Sequence, residues 1–286
     1  MDQVALAVVL DNHSAARPQA GLSSACLVYE FPVEGGMTRL LAFFLHAEAA
    51  VVGPVRSARD YMLDPCLETG AILCHIGGSP QAYERLARVK VRSLDDMKGA
   101  GAYYRVSYRR PPHNLYTATS ALRQAAAARG WARRSAGAAW GLAPGPAVSP
   151  ATGGEPAATI SLRYPGPGEP YLGYRYDPQA GVFLRLVSGE PQIDAANGQA
   201  VSVANLVVLR TVVTPIAGDP EGRLRVQMVG EGEALLFRGG QVFKGRWSKA
   251  APALPTRLSG PAGQLVLGPG PTWVEVVPEE AVVQWR

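Results

Sequence analysis

The sequence predicts an α+β fold in two parts: a layered α/β N-terminal domain with a mixed sheet, then a β-rich, mostly antiparallel C-terminal domain. Three observations carry this expectation. Residues 1–135 alternate short continuous apolar runs with helical patterns, as buried strands and their covering helices do. Residues 159–286 change to a period of two, punctuated by Gly-containing turns and without a long helical pattern. Between them, residues 136–158 are rich in Ala, Gly and Pro with a single charge, and read as a linker or long surface loop.

The elements follow in chain order. Apolar runs at 4–10, 25–31, 39–45 and 71–76 have the length of buried strands. Ser79-Pro80 supplies an N-cap and a proline at the first helical position for a helix over 81–88. A second helix is expected over 117–129, closed by Gly130. A third, over 57–67, is a weaker candidate because Pro65 would interrupt it. Beyond the linker, 174–176 and 182–187 flank a turn and predict a hairpin. A second hairpin is expected where 234–237 and 241–243 flank Gly239-Gly240 in a turn of the primed type. Residues 201–213, 223–229 and 272–277 add further strand patterns.

Composition excludes several classes of protein. Hydrophobic residues make up 47% and charged residues 18%, which no disordered chain shows. The 32 Gly and 24 Pro lack a collagen period and mark turns instead. No apolar run approaches the roughly 20 residues of a membrane span. The opening MDQVALAVVLDNH lacks a basic leader region and reads directly as a strand, so no signal peptide is expected in this chain. The formal charge of +5 lies wholly in the first half, where residues 1–135 hold sixteen Lys and Arg against eleven Asp and Glu. Nucleic-acid binding is not expected, since the nearest basic and aromatic run, Tyr103 to Arg110, is short and ends in a Pro-Pro turn. Cys26, Cys66 and Cys74 are too few and too scattered for a disulfide framework; three inert thiols are expected, with one disulfide as the alternative. No HExxH and no His/Cys ligand spacing is present, so no metal and no cofactor is expected.

The polar residues that could carry chemistry lie in the first domain. His13, His75 and His113 stand where strands or turns end, the usual place for sites in α/β sheets, whereas His46 ends an apolar strand and reads as structural. Arg56, Ser57 and Arg59 follow the Gly53-Pro54 turn at an expected helix start. They form either an anion site or ion pairs to Asp60 or Asp64. Gly77-Gly78-Ser79-Pro80 joins a strand to a helix and reads as a tight turn or as a weak phosphate cradle. Glu30 and Glu34, near Arg39, are either an acid/base pair or carboxylates that hold arginines in place. No nucleophile stands out: there is no GxSxG elbow, and Ser57 and Ser79 have no base defined by the sequence.

The runs DNHSAARPQAGLSSACLVYEFPVEGGMTRLLAFF, GPVRSARDY, HIGGSPQAY and PHNLYTAT closely resemble the YerB family of bacterial lipoprotein-type proteins. In the second half GYRYDPQAGVFLRLVSGEPQID, GEGEALLFRGGQVFKGRWSK and PGPTWVEVV resemble the partner domain of that family. The resemblance covers nearly the whole chain and implies an extracytoplasmic, membrane-tethered protein, with no reaction attached. Tethering would come only through a leader or lipid anchor absent from this chain, since Cys26 lies inside a strand-like run. The same motifs hold Asp11, Asn12, His13, Arg17, Glu30, Glu34, Arg39, Arg56, Ser57, Arg59, His75, Ser79, His113 and Asn114, the expected ligand-binding set. If they converge on one cleft, an anionic cell-wall or glycan-phosphate ligand is the expected partner, with Arg56 and Arg59 holding the anion and His75 and His113 orienting it. The alternatives are a transferase or hydrolase acting on a phosphorylated glycan, and a structural or protein-interaction module.

Overall fold

A computed structural model describes residues 3–45, 47–131, 153–166 and 171–286. The expectation for His46 and most of the expected linker, 136–152, lie outside these residues. The chain divides into two compact units, one formed by 1–28, 39–137 and 194–199, the other by 29–38, 138–193 and 200–286.

The first unit is the expected layered structure. Strand β1 (Leu6–Asp11) is buried along its whole length. Strand β2 (Leu27–Pro32) contains the point where the chain leaves this unit, and β3 (Thr38–Phe44) begins where it returns. Helix α1 (Leu63–Thr69) leads into β4 (Ile72–His75), and α2 (Pro80–Arg88) into β5 (Ser93–Asp95). Strand β6 (Tyr103–Arg105) pairs with β7 (Leu115–Thr117), and α3 (Thr119–Ala128) follows. β1 pairs antiparallel with β3 and parallel with β4, which pairs parallel with β5, so the sheet is mixed. Covered on both faces, β1 reads as an unbroken apolar run in the sequence.

Two helical expectations are corrected in detail. The helix expected over 57–67 is a 3-10 turn at Asp60–Met62 followed by α1, and Pro65 falls in the first turn of α1, where its missing N–H costs nothing. Thr117 does not open α3; it ends β7, exchanging backbone hydrogen bonds with Val52 at 2.8 and 2.9 Å. Helix α2 is as expected, with the Ser79 hydroxyl accepting from the Ala82 N–H at 3.1 Å. Cys26, Cys66 and Cys74 are all free thiols, and burial pushes the pKa of each upward.

Residues 53–56 lie across the end of β1: Asp11 N–H donates to Pro54 O and Arg56 N–H to Val9 O, both at 2.9 Å. A further piece of this unit comes from far along the chain. The buried Asp194 carboxylate accepts from the Gly21 and Ser23 amides, each at 2.8 Å, and from the Ser23 hydroxyl at 2.6 Å.

In the second unit one run of neighbouring strands is ordered Gly263–Gln264, Arg257–Gly260, Gln241–Lys249, Gly230–Arg238, Asn205–Thr211, Thr272–Pro278. All these pairings are antiparallel except the last, Asn205–Thr211 with Thr272–Pro278, which is parallel. A second sheet orders Glu190–Pro191, Val182–Val187, Leu172–Asp177, Thr159–Arg163 and Val282–Trp285, all antiparallel. Both expected hairpins form. At the tighter one Gly239 and Gly240 have φ of 58° and 74°, the positive values a primed two-residue turn requires.

Gly53 tests how tightly the 53–56 segment is seated. A Cβ there would lie 2.5 Å from Cδ1 of the buried Tyr116 ring. Gly53→Ala should therefore destabilise the protein by about 1–3 kcal/mol, read as a lowered midpoint in denaturant unfolding. An unchanged midpoint would show that the ring yields freely.

Candidate functional site

The site begins with a buried charge. Asp11 closes β1 with its side chain only 4% exposed, and a carboxylate there must be neutralised locally. Its Oδ1 accepts the His13 backbone N–H at 3.0 Å. Its Oδ2 receives His113 Nδ1 at 2.7 Å and lies 3.1 Å from Arg56 Nε. Facing a carboxylate, His113 Nδ1 is the protonated nitrogen, so its Nε2 is uncommitted among the described residues. His13 has the opposite arrangement. Its Nδ1 accepts the Ala15 N–H at 3.1 Å, which places its proton on Nε2. The two imidazoles stack with centroids 5.0 Å apart and planes at 19°. Arg56, 26% exposed, pairs with Asp11 by charge through Nε without hydrogen-bond geometry and leaves its two terminal amino groups uncommitted among the described residues.

The loop after β1 is braced from several sides. Gln19 Nε2 donates to Asp11 O at 3.0 Å and to Asn12 Oδ1 at 2.7 Å, and Arg17 Nε donates to Asn12 Oδ1 at 3.1 Å. Arg109 caps the loop through Ala15 O and Pro18 O, at 2.9 and 2.8 Å. The groups joined by these contacts include three guanidiniums (Arg17, Arg56, Arg109), two imidazoles and one carboxylate, an excess of positive charge.

The structure thus brings together Asp11, Asn12, His13, Arg17, Arg56 and His113, and places the other expected residues differently. Arg39 Nη1 donates to Ser57 O at 2.9 Å, which uses the carbonyl of Ser57. Arg59 is buried and turned onto Ala58 O at 3.1 Å, so the expected pair of anion-holding arginines is reduced to Arg56. The expected ion pairs to Asp60 or Asp64 do not form from this segment, because Arg85 takes Asp64 with two bonds of 2.6 and 2.7 Å and Asp60 O at 2.9 Å. Ser79 is the helix cap. Gly77 spends its amide on Asp95 Oδ1 at 2.8 Å and its carbonyl on His75, which makes the GGSP segment a tight turn. Asn114 accepts from Arg105 Nη1 at 2.7 Å and donates to Val106 O at 3.3 Å. His75 is fully buried with both ring nitrogens engaged.

Glu30 and Glu34 belong to the second unit, Glu34 half-buried at the start of a 3-10 turn. Glu30 holds an arginine, as one reading of the sequence required, but the arginine is Arg185. Its Nη2 meets Glu30 Oε2 at 2.5 Å, Nε donates to the Tyr174 hydroxyl at 3.2 Å, and Nη1 donates to Gln192 Oε1. Thr38 and Trp273 donate to Glu30 at 2.7 and 3.2 Å. A second buried carboxylate, Glu275, accepts from Tyr164 at 2.8 Å and from Tyr174. Burial opposes the charge of Arg185 more than any single neighbour favours it, but Glu30, Tyr174 and Glu275 together outweigh burial, and its pKa is raised. These partners were not visible in the sequence, since Arg185 and Glu275 sit among ordinary strand residues and nothing in their spacing joins them.

Fold and site together define a two-unit α+β protein whose N-terminal unit carries an Arg/His cluster at its strand ends. The chain belongs to the DUF3048 family of proteins of unknown function: residues 1–132 match its N-terminal domain and residues 160–274 its C-terminal domain. It is 30% identical over 279 residues to the "Putative lipoprotein YerB" of Bacillus subtilis strain 168, a match covering 96% of this chain and 81% of that protein. The crystal structure of Bacillus subtilis YerB superposes with a TM-score of 0.86 at 28% identity, covering 99% of this chain and 94% of that one.

The network in the second unit sets a pH dependence. Burial, and then the neighbouring Glu30 carboxylate, push Glu275 from an ordinary 4.5 up to about 8. The folded chain therefore keeps a proton that the unfolded chain releases across that window. The stabilising contribution is full below the ordinary carboxylate range and is lost as pH rises through about 8. Glu275→Gln, which carries no titrating proton, should flatten the fall in melting temperature between roughly pH 5 and 8. The same slope in the variant would show that another group is responsible.

Proposed function

We propose that this protein is an extracytoplasmic, lipoprotein-type envelope protein whose N-terminal unit binds an anionic cell-wall or glycan-phosphate group at the Asp11, His13, Arg56 and His113 cluster. The name of the Bacillus subtilis relative supports the envelope placement. Among the described residues no helix is long and apolar enough to cross a membrane. The binding reading rests on one observation: the Asp11 carboxylate is paired within the cluster, while Arg56 and the two imidazoles around it keep nitrogens uncommitted among the described residues. A phosphate oxygen placed against Arg56 gains two charge-assisted donors from its terminal amino groups, and His13 adds an Nε2–H. Arg17 and Arg109 fix the loop that carries His13 and supply further positive charge.

Calorimetric titration of the full chain with poly(glycerol phosphate) should give saturable binding that weakens with added salt. The double variant His13→Ala, Arg56→Ala should lose about tenfold or more in affinity, the scale of a hydrogen bond to a charged group. Equal binding by the double variant, or equal binding to neutral dextran, would overturn the reading.

A further inference from the structure

A second polar constellation lies at the carboxyl end of β4, the parallel neighbour of β1. β4 and β5 run parallel with His75 opposite Asp95, and Ser93 shares a face of β5 with Asp95 because side chains repeat every two residues along a strand. His75 Nδ1 lies 2.6 Å from the Gly77 carbonyl, which can only accept, so the proton sits on Nδ1. Nε2 is then the acceptor for the Ser93 hydroxyl at 2.7 Å. Asp95 Oδ1 stands 4.0 Å from His75 Nδ1 and is itself held by the Gly77 and Met97 amides and, through Oδ2, by Tyr83.

This is the hydrogen-bonding order of an activated serine: hydroxyl to imidazole, imidazole oriented through its other nitrogen, carboxylate within reach of a developing imidazolium. Ser93 is half-buried and helps line a groove of about 360 Å³ whose walls include Tyr83, Asp95, Lys98, Ala100 and Arg129. Two cations frame it. Lys98 Nζ lies 4.5 Å from the Tyr83 ring centroid, and Arg129 is anchored to Ala125 O at 2.9 Å.

We infer that Ser93 and His75 form a nucleophile and base for an ester carrying a negative charge, bound in this groove by Lys98 and Arg129. The Ser93 oxygen attacks the ester carbonyl carbon and its proton passes to His75 Nε2. The carbonyl carbon–alkoxy oxygen bond breaks, and the departing alcohol takes that proton. Water then attacks the acyl-Ser93, giving one proton to His75 Nε2; the acid leaves and Ser93 recovers its hydrogen. Asp95 acts as a positioning residue that favours the imidazolium formed in each half. Burial lowers the His75 pKa, which leaves the ring in its base form at neutral pH.

The inference is independent of the anion cluster at Asp11, and its test is separate. The full chain is incubated with a fluorophosphonate probe and the modified residue located by mass spectrometry. A single adduct on Ser93 is expected, absent in Ser93→Ala and slowed about a hundredfold or more in His75→Gln, with melting curves verifying that both variants fold. Hydrolysis of mono-p-nitrophenyl succinate should exceed that of p-nitrophenyl acetate, and Lys98→Ala with Arg129→Ala should remove the preference; a preference that survives in that variant would overturn the binding role of the two cations. If His75→Gln does not fold, the labelling rate of the unaltered chain should still rise with pH to a plateau as His75 deprotonates. No adduct on Ser93, or one formed at the same rate without His75 or at every pH, would overturn the inference.

Discussion

The first unit is organised around one carboxylate at the end of its innermost strand. Asp11 sits next to an apolar core, where an unpaired charge would cost several kcal/mol. Its partners come from the residues just after β1, from the segment crossing β1 at 53–56, and from the turn before β7. Three segments distant in sequence are thereby held at one point. The positions of His13, Arg56 and His113 are consequences of neutralising Asp11. Their outward chemistry is what remains after that task.

The second unit handles buried charge differently. Arg185 has its Nε, Nη1 and Nη2 all engaged by Tyr174, Gln192 and Glu30, and none of these residues is open to water. Such a network contributes specificity of packing, since each member is satisfied only in one arrangement. Arg56 in the first unit, by contrast, has two amino groups uncommitted among the described residues.

Much of the architecture was legible. Strands β1, β3 and β4 were visible because a strand covered on both faces must be apolar throughout. Helix α2 announced itself through Ser79-Pro80, and the second unit through its period of two. The short strands β5, β6 and β7 were not, because three residues carry no measurable period. Of the site, His13, Arg56 and His113 could be marked because histidine and arginine at strand ends are unusual. Which acid each would meet was hidden: Arg56 met Asp11 rather than its neighbour Asp60, a choice made by strand pairing and not by spacing. Ser93 was passed over for the same reason, its hydrogen-bond partner His75 lying eighteen residues upstream on the adjoining strand.

Asp194 bears on how the protein can be dissected. Although it is encoded deep in the second half of the chain, its carboxylate completes the turn at Leu22–Ser24, and Ala195 donates to the Gln19 carbonyl at 2.8 Å. Gln19 in turn steadies the Asp11–Asn12 backbone and side chain. A fragment ending with the N-terminal family domain at residue 132 would leave those amides and that hydroxyl without Asp194, with the loop under the imidazole pair deprived of its anchor. The first unit is thus an object built from non-contiguous stretches, and gene boundaries drawn by sequence alone would amputate it.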